Sequence, residues 1–193
     1  MSMGGTKNGT KIVSCNVPGD GSCFFHSIAF LINYGDIRNC HDARKRQQLG
    51  IHMRKSIVDP KQWKRYKQLS GYGDLAPPLS SVRKVSYAAG DFLINFVCRR
   101  LGLNVLVLDT SSAKREVYLF PCGQPDQPYV CLRWLSKVHF EPMAEVSSTN
   151  MFVPSRFPAA NDRSLKGVLD MSSTLVQQMM SHCVQATASA SPT

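Results

Sequence analysis

The sequence has no long hydrophobic run and no recognisable targeting segment. No stretch comes near the about 18 uninterrupted apolar residues that indicate a membrane span, and the first residues, MSMGGTKNGTK, lack the apolar core of a secretory signal. The 7 cysteines include no C-x-x-C pair and no close group with histidine, which argues against a zinc site and a disulfide framework. We therefore expect a cytoplasmic protein with reduced thiols, no metal, no cofactor and no membrane attachment.

Acidic residues are also scarce, since 13 Asp and Glu stand against 23 Lys and Arg and leave a net charge of +10. This excess permits an acidic partner such as RNA, but net charge bears on association and solubility rather than on the fold. Hydrophobic residues make up 43% of the chain, with 9 Phe, 6 Tyr and 2 Trp, which is enough to bury a core. The 193 residues favour one domain with an appendage.

The hydrophobic pattern predicts helices first and a strand-rich segment afterwards. An apolar run from Cys23 predicts a buried helix that opens at that cysteine, Asp59 is a predicted N-cap, and Gly102 a predicted C-cap. The predicted helices cover 23–34, about 41–58, a short stretch from 60 and 87–101, and the predicted strands cover 105–108, 116–120, 129–135 and 138–143. This order indicates an α+β fold or an α/β-type sandwich.

The two ends of the chain differ in composition from its middle. Residues 1–10 and 185–193 are small and polar, which predicts flexible termini. Residues 11–150 are predicted to form the main domain. Residues 151–184 are predicted to form a loop and then an amphipathic helix over 165–184 that packs on this domain.

The most informative local feature is a glycine-bearing turn, Pro18 to Gly21, that delivers Cys23 to the start of the buried helix. Free N–H groups and the positive end of the helix dipole are expected to lower the pKa of the Cys23 thiol. The same groups can bind an oxyanion, and the predicted donors are the N–H groups of Asp20, Gly21 and Cys23. Taken alone, the segment fits a buried structural cysteine equally well.

His139 best fits the imidazole base that a nucleophilic thiol needs. In an extended chain Val138 and Phe140 point to one face, while His139 and Glu141 point to the other. The Glu141 carboxylate can therefore orient the imidazole, which leaves the second ring nitrogen to take the thiol proton. His26 follows Cys23 too closely on the same helix to act as its base, so a packing role is predicted for it.

Together, D-G-S-C-F-F at 20–25 and W-L-S-K-V-H-F-E at 134–141 resemble the signature of the ovarian-tumour (OTU) family of papain-like cysteine proteases. The segment at 90–109 is similar to that family's helix and central strand, so the resemblance covers about residues 13–143. It implies a papain-like OTU fold with a small central β-sheet flanked by helices. The sequence departs from the family at Glu141, where Asp or Asn is more usual, and at His26, where Arg or another polar residue is common.

The resemblance implies a deubiquitinase, an isopeptidase that removes ubiquitin or ubiquitin-like modifiers from proteins, with small viral and bacterial-effector members among its relatives. In that assignment Cys23 is the nucleophile, His139 the base, Glu141 the third member, and Asp20 the signature aspartate beside the oxyanion hole. We expect a monomer in the cytoplasm, which for a viral or effector protein means the host cytoplasm, with a role in evading host immunity.

The glycine-ended tail of ubiquitin would have to thread a narrow channel to reach the thiol. The residues proposed to line this channel are Trp134, Phe140, Tyr72 and Asp74.

Three alternatives remain open on the sequence alone. The first is a viral polyprotein-processing protease that uses the same thiol, and the second is a catalytically idle scaffold. The third is a basic nucleic-acid-binding module, suggested by the interleaved run K-Q-W-K-R-Y-K at 61–67. The spacing argues against this module, because Trp63 and Tyr66 share a helical face that the core needs.

Overall fold

A computed structural model describes residues 11–32, 42–71, 75–111, 116–124, 127–146, 152–154 and 156–157. Within these ranges the helices are α1 (Cys23–Ile32), α2 (Ala43–Ile57), α3 (Pro60–Leu69), α4 (Leu79–Val82) and α5 (Asp91–Leu101). The strands are β1 (Lys11–Ser14), β2 (Asn104–Asp109), β3 (Glu116–Pro121), β4 (Tyr129–Leu135), β5 (His139–Val146), β6 (Phe152–Pro154) and β7 (Arg156–Phe157). The predicted α+β class is confirmed.

The helix boundaries follow from the residues that cap them. The Asp42 carboxylate accepts from the N–H groups of the first turn of α2, and Asp59 does the same for α3, whose first residue is proline. Gly102 ends α5 in the left-handed conformation, with φ of 62°. The predicted start at Cys23 and both predicted caps are therefore confirmed. The predicted start of α5 at 87 is wrong, because Gly90 caps that helix in an extended conformation.

The strands form one mixed sheet with the order β1-β5-β4-β2-β3, to which β6 adds beside β5 and β7 beside β4. β2 and β4 run parallel, while β4 and β5 form an antiparallel hairpin that starts with the pair Leu135 and His139. Ser136 and Lys137 make its turn with φ of 49° and 58°. The hairpin therefore places His139 at the first residue of β5.

The sequence pattern does not predict three of these strands. β1 spans 4 residues, and β6 and β7 span 3 and 2, which is too short for a period of two to stand out. The latter two lie just beyond residue 150, so the sheet extends past the segment expected to form the main domain. The helix predicted over 165–184 and both predicted flexible ends lie outside the described residues.

The core forms where α1 packs between α2 and the sheet. The ring of Phe24 meets those of Phe25 and Phe140 edge-on, with centroids 5.5 and 5.6 Å apart. On α3, Trp63 is buried and its ring lies 4.9 Å from that of Phe96 on α5. Each such aromatic ring contributes roughly 1.5–3 kcal/mol by burial, so α1 is held firmly against β5.

Membrane-spanning helices and metal-binding clusters are both absent from the described ranges. No helix there combines the length and hydropathy required to cross a bilayer. The same residues contain no cluster of three His, Cys, Asp or Glu side chains suited to a metal ion.

We predict that Gly50→Ala destabilises the protein. A Cβ at Gly50 would lie 2.0 Å from Nδ1 of His26, a buried ring on the facing helix α1. The ring or the helices must shift, which costs about 1–3 kcal/mol. Urea unfolding measures this, with Gly90→Ala as the control, because a Cβ there meets nothing within 4 Å and the cost stays below about 1 kcal/mol. Equal losses in the two variants would contradict the predicted close approach of α1 and α2.

Candidate active site

The turn before α1 is held closely against the segment that follows α4. Gly21 has φ of 79°, a conformation that glycine adopts without strain. A Cβ at this position would also lie 2.5 Å from the carbonyl oxygen of Val85 and 2.7 Å from Cα of Ser86. Both backbone conformation and space therefore require glycine here.

The Asp20 carboxylate organises the same turn through three donors. It accepts from the N–H of Ser22 at 2.9 Å, from Nε2 of His26 at 3.0 and 3.1 Å, and from Nε2 of Gln47 at 3.0 Å. Burial acts to raise the pKa of Asp20, but the hydrogen bonds from Gln47, Ser22 and His26 outweigh it and hold that pKa below its ordinary value. The carboxylate is therefore ionised at neutral pH.

His26 and Gln47 are site residues that the sequence reasoning missed. The packing role predicted for His26 is incomplete, because its buried ring also donates to Asp20. Because His26 lies one helical turn after Cys23, its side chain can point back to the loop that carries Asp20, and this spacing could have indicated the contact. Nothing in the sequence pairs Gln47 with Asp20, since the two residues meet only when α2 docks on α1.

The Cys23 sulfur lies against the backbone at the start of β5. It accepts from the N–H of Phe140 at 3.4 Å and donates to the carbonyl oxygen of Val138 at 3.8 Å, so it contacts the residues on both sides of His139. The cysteine is 2% exposed, and this burial raises the pKa of its thiol, against the lowering by the N–H groups of Phe140 and Phe24. The expected lowering of the Cys23 pKa is therefore wrong for this structure, because lost hydration outweighs the helix start.

The imidazole of His139 lies between the Glu141 carboxylate and the backbone at Gly19. Its Nε2 lies 3.9 Å from Oε1 of Glu141, while its Nδ1 and Cε1 both lie 3.9 Å from where a Cβ on Gly19 would stand. Oε2 of Glu141 lies 3.7 Å from Nη1 of Arg133, a buried arginine that the sequence reasoning did not single out. The structure thus places the Cys23 sulfur against the backbone on both sides of His139. The Glu141 carboxylate is shared between the imidazole and a guanidinium.

The residues predicted to line a substrate channel divide into three groups. The ring of Phe140 is 1% exposed and belongs to the core, so only its backbone reaches the site. Trp134 is half-buried and stacks on that ring at 5.3 Å. Tyr72 and Asp74 lie outside the described residues.

Val138 differs from the expectation that it shares a face with Phe140. It stands in the hairpin turn before β5, and it is 67% exposed. Regular alternation begins only at His139, because the left-handed residues Ser136 and Lys137 precede it. This leaves an apolar side chain on the surface beside His139, which the sequence reasoning also missed.

Comparisons with known proteins bear on the fold. A scan against protein-family models and a search of the curated proteins each return no match. Among solved structures, an OTU domain in complex with ubiquitin is similar, with 18% identity, a TM-score of 0.55, and coverage of 89% of this chain and 91% of that one. The OTU domain of Hazara virus bound to ubiquitin matches with 17% identity, a TM-score of 0.52, and 77% and 89% coverage.

A third solved structure, the OTU domain of OTUD1, shares 17% identity with a TM-score of 0.50, over 68% of this chain and 85% of that one. These likenesses show a helix-flanked sheet arranged as in OTU domains. The chain therefore has the OTU fold, and the sequence resemblance is confirmed at the level of the fold.

We predict that Gln47→Ala weakens the protein at neutral pH. Removing the donor costs about 1 kcal/mol. Because the folded-state pKa of Asp20 lies below the ordinary 3.8, this contribution is complete above the ordinary value and is lost as pH falls through the folded-state value. Urea unfolding at a series of pH values measures it, with exposed Gln48→Ala as the matched control. A pH-independent loss, or an equal loss in Gln48→Ala, would refute the assigned bond.

Proposed function

We propose that this protein is a cysteine isopeptidase that releases ubiquitin or a ubiquitin-like modifier from conjugates. The observation that carries the proposal is the position of the Cys23 sulfur, which contacts Val138 and Phe140 on both sides of His139. A thiol, an imidazole and a carboxylate in this order match the roles of nucleophile, base and orienting group. The OTU fold supports the assignment, and two of the similar structures hold ubiquitin.

The reaction begins with removal of the thiol proton. Since burial raises the pKa of Cys23, the resting thiol is protonated at neutral pH and needs a base beside it. Nδ1 of His139 takes this proton as the sulfur attacks the carbonyl carbon of the isopeptide bond, and Glu141 on the Nε2 side stabilises the resulting imidazolium.

The tetrahedral oxyanion then needs donors that are already oriented. Because the N–H of Ser22 is taken up by Asp20, the proposed donors are the N–H groups of Gly21 and Cys23 at the start of α1, together with that of Asp20. Collapse of the intermediate breaks the C–N bond, and the imidazolium returns its proton to the leaving lysine amine. Water, deprotonated by His139, hydrolyses the thioester and frees the thiol.

The nucleic-acid-binding alternative finds no support at the residues that suggested it. Trp63 is buried, and the ring of Tyr66 packs against Phe96 at 5.2 Å. These rings serve the core and are not arranged as a stacking surface for bases. The polyprotein-processing alternative shares the proposed mechanism and differs only in substrate.

Ubiquitin carrying a C-terminal thiol-reactive group tests the proposal. We expect one covalent adduct by intact mass in the wild type, none in Cys23→Ala, and formation about 10²–10⁴-fold slower in His139→Ala. Cys122→Ala, which removes another partly buried thiol, should react like the wild type. An adduct that survives Cys23→Ala would sink the assignment, and a wild type that cleaves viral junction peptides but ignores ubiquitin would favour the polyprotein alternative.

We predict a smaller loss for Glu141→Gln than for His139→Ala. The carboxylate lies 3.9 Å from the ring and is shared with Arg133, so the ion pair stabilises the imidazolium by about 1 kcal/mol, which is about 5-fold in rate. Steady-state cleavage of a ubiquitin amide measures this as a fall in kcat. Unchanged turnover would show that another group orients His139.

A further inference from the structure

Arg54, in the last turn of α2, is a buried arginine that forms no ion pair with a described carboxylate. Its relative exposure is 0%, and no carboxylate in the described ranges lies within ion-pair distance of it. Burying an unpaired guanidinium is costly unless its donors are satisfied. The hydrogen bonds of the Arg54 side chain therefore explain how its charge is accommodated in the interior.

All of these bonds go to two segments that meet at the candidate active site. In the turn before α1, Nη1 of Arg54 donates to the carbonyl oxygen of Gly21 at 3.2 Å and to Oγ of Ser22 at 2.9 Å. In the segment 82–87, which begins at the last residue of α4, the same nitrogen donates to the Val85 carbonyl at 2.6 Å. Nε donates to the Val82 carbonyl at 3.1 Å, and Nη2 donates to that of Tyr87.

The two segments also touch each other directly, where Gly21 leaves no room for a Cβ against Val85 and Ser86. Oγ of Ser22 donates to the Val85 carbonyl at 3.4 Å. The guanidinium carbon of Arg54 further lies 4.9 Å from the centroid of the Phe25 ring on α1, within cation–π range. One side chain thus joins α2, the turn, the start of α1 and segment 82–87.

We propose that Arg54 is a positioning residue for the oxyanion-binding N–H groups of Gly21 and Cys23. The inference rests on the proposed function, because it assigns these N–H groups to an acyl-transfer reaction. The bond to the carbonyl of Gly21 fixes the peptide plane between Gly21 and Ser22, and the bond to Oγ of Ser22 holds the next side chain. The fixed plane lies between the two peptide planes that carry the N–H groups of Gly21 and Cys23. The planar fork of arginine reaches acceptors on three sides, which a lysine ammonium cannot reproduce.

This role is separate from that of Asp20, which holds the N–H of Ser22 from the other side of the turn. Asp20 and Arg54 together leave the turn little freedom. Displacement of a reacting group by about 1 Å is enough to lower a rate about 10²-fold. Loss of Arg54 should therefore slow hydrolysis of the amide substrate more than it changes the reactivity of the Cys23 thiol.

The test compares two reactions of the same sulfur in Arg54→Lys and in the milder Ser22→Ala. Alkylation by iodoacetamide displaces iodide and forms no oxyanion, whereas hydrolysis of a ubiquitin C-terminal amide does. We expect alkylation rates within about 2-fold of the wild type, a fall in kcat of about 10–100-fold for Arg54→Lys with KM unchanged, and a smaller fall for Ser22→Ala.

Asn104→Ala is the matched control for a purely structural effect. Asn104 is also buried and polar, and it ties a loop elsewhere through bonds to the carbonyls of Gln124 and Gln127 and from the N–H of Gly123. We expect it to lower the unfolding midpoint without lowering kcat per folded molecule. If Asn104→Ala lowers kcat as much as Arg54→Lys, or if Arg54→Lys slows alkylation and hydrolysis equally, the positioning role is overturned.

Amide hydrogen exchange separates this proposal from the proposed function. In Arg54→Lys, exchange at residues 21–23 and 85–87 should become faster, while Asn104→Ala should leave these amides unchanged. If the wild type does not hydrolyse ubiquitin amides but Arg54→Lys shows this faster exchange, the isopeptidase assignment is refuted and the role of Arg54 in holding the turn against segment 82–87 is retained. If exchange is unchanged in both Arg54→Lys and Ser22→Ala, this role of Arg54 is refuted, whatever the activity. If Arg54→Lys does not fold, Ser22→Ala decides the question by the same measurements.

Discussion

The sulfur of Cys23 accepts a hydrogen bond from the backbone N–H of Phe140, a residue 117 positions further along the chain. This contact exists only because α1 is buried between α2 and the sheet, with Phe24 and Phe140 packed edge-on. The same aromatic packing that stabilises the core therefore places the start of a helix beside the start of a strand. Because Cys23 is the first residue of that helix and His139 the first residue of that strand, a thiol and an imidazole belong to neighbouring segments.

Opposite charges fix the turn that carries the thiol. The Asp20 carboxylate gathers donors from Ser22, His26 and Gln47, while the buried guanidinium of Arg54 gathers carbonyls from the turn and from segment 82–87. Neither group forms a hydrogen bond with the sulfur, whose bonds go to Val138 and Phe140; each acts on the backbone around it. Preorganised N–H groups of this kind stabilise developing charge without having to reorganise during a reaction.

The sequence reasoning was correct for features that depend on a few neighbouring residues. The helix start at Cys23, the Asp59 and Gly102 caps, and the neighbourhood of His139 and Glu141 could be predicted because capping and turn chemistry act over a few residues. It did not find two contacts between residues that are distant in sequence and belong to no recognised motif. Gln47 contacts Asp20, and Arg54 contacts Gly21, only because α2 packs on α1. The spacing of these residues in the sequence therefore predicts neither contact.

The thiol shows a second kind of limit. A helix start and free N–H groups favour a lower pKa, but the outcome for Cys23 depends on how much water the folded protein removes, and burial decides it. The Val138 side chain likewise becomes exposed because two residues of the preceding turn adopt positive φ. Burial and turn geometry are properties of the assembled hairpin and helix pair, and no single segment encodes them.

A crystal structure of the protein trapped with electrophile-tagged ubiquitin tests the central claim most directly. The account predicts a bond from the Cys23 sulfur to the ubiquitin terminus, Nδ1 of His139 within hydrogen-bond reach of that sulfur, and the N–H groups of Gly21 and Cys23 facing the carbonyl oxygen. A bond to another cysteine, or a His139 ring turned away from the adduct, would contradict it.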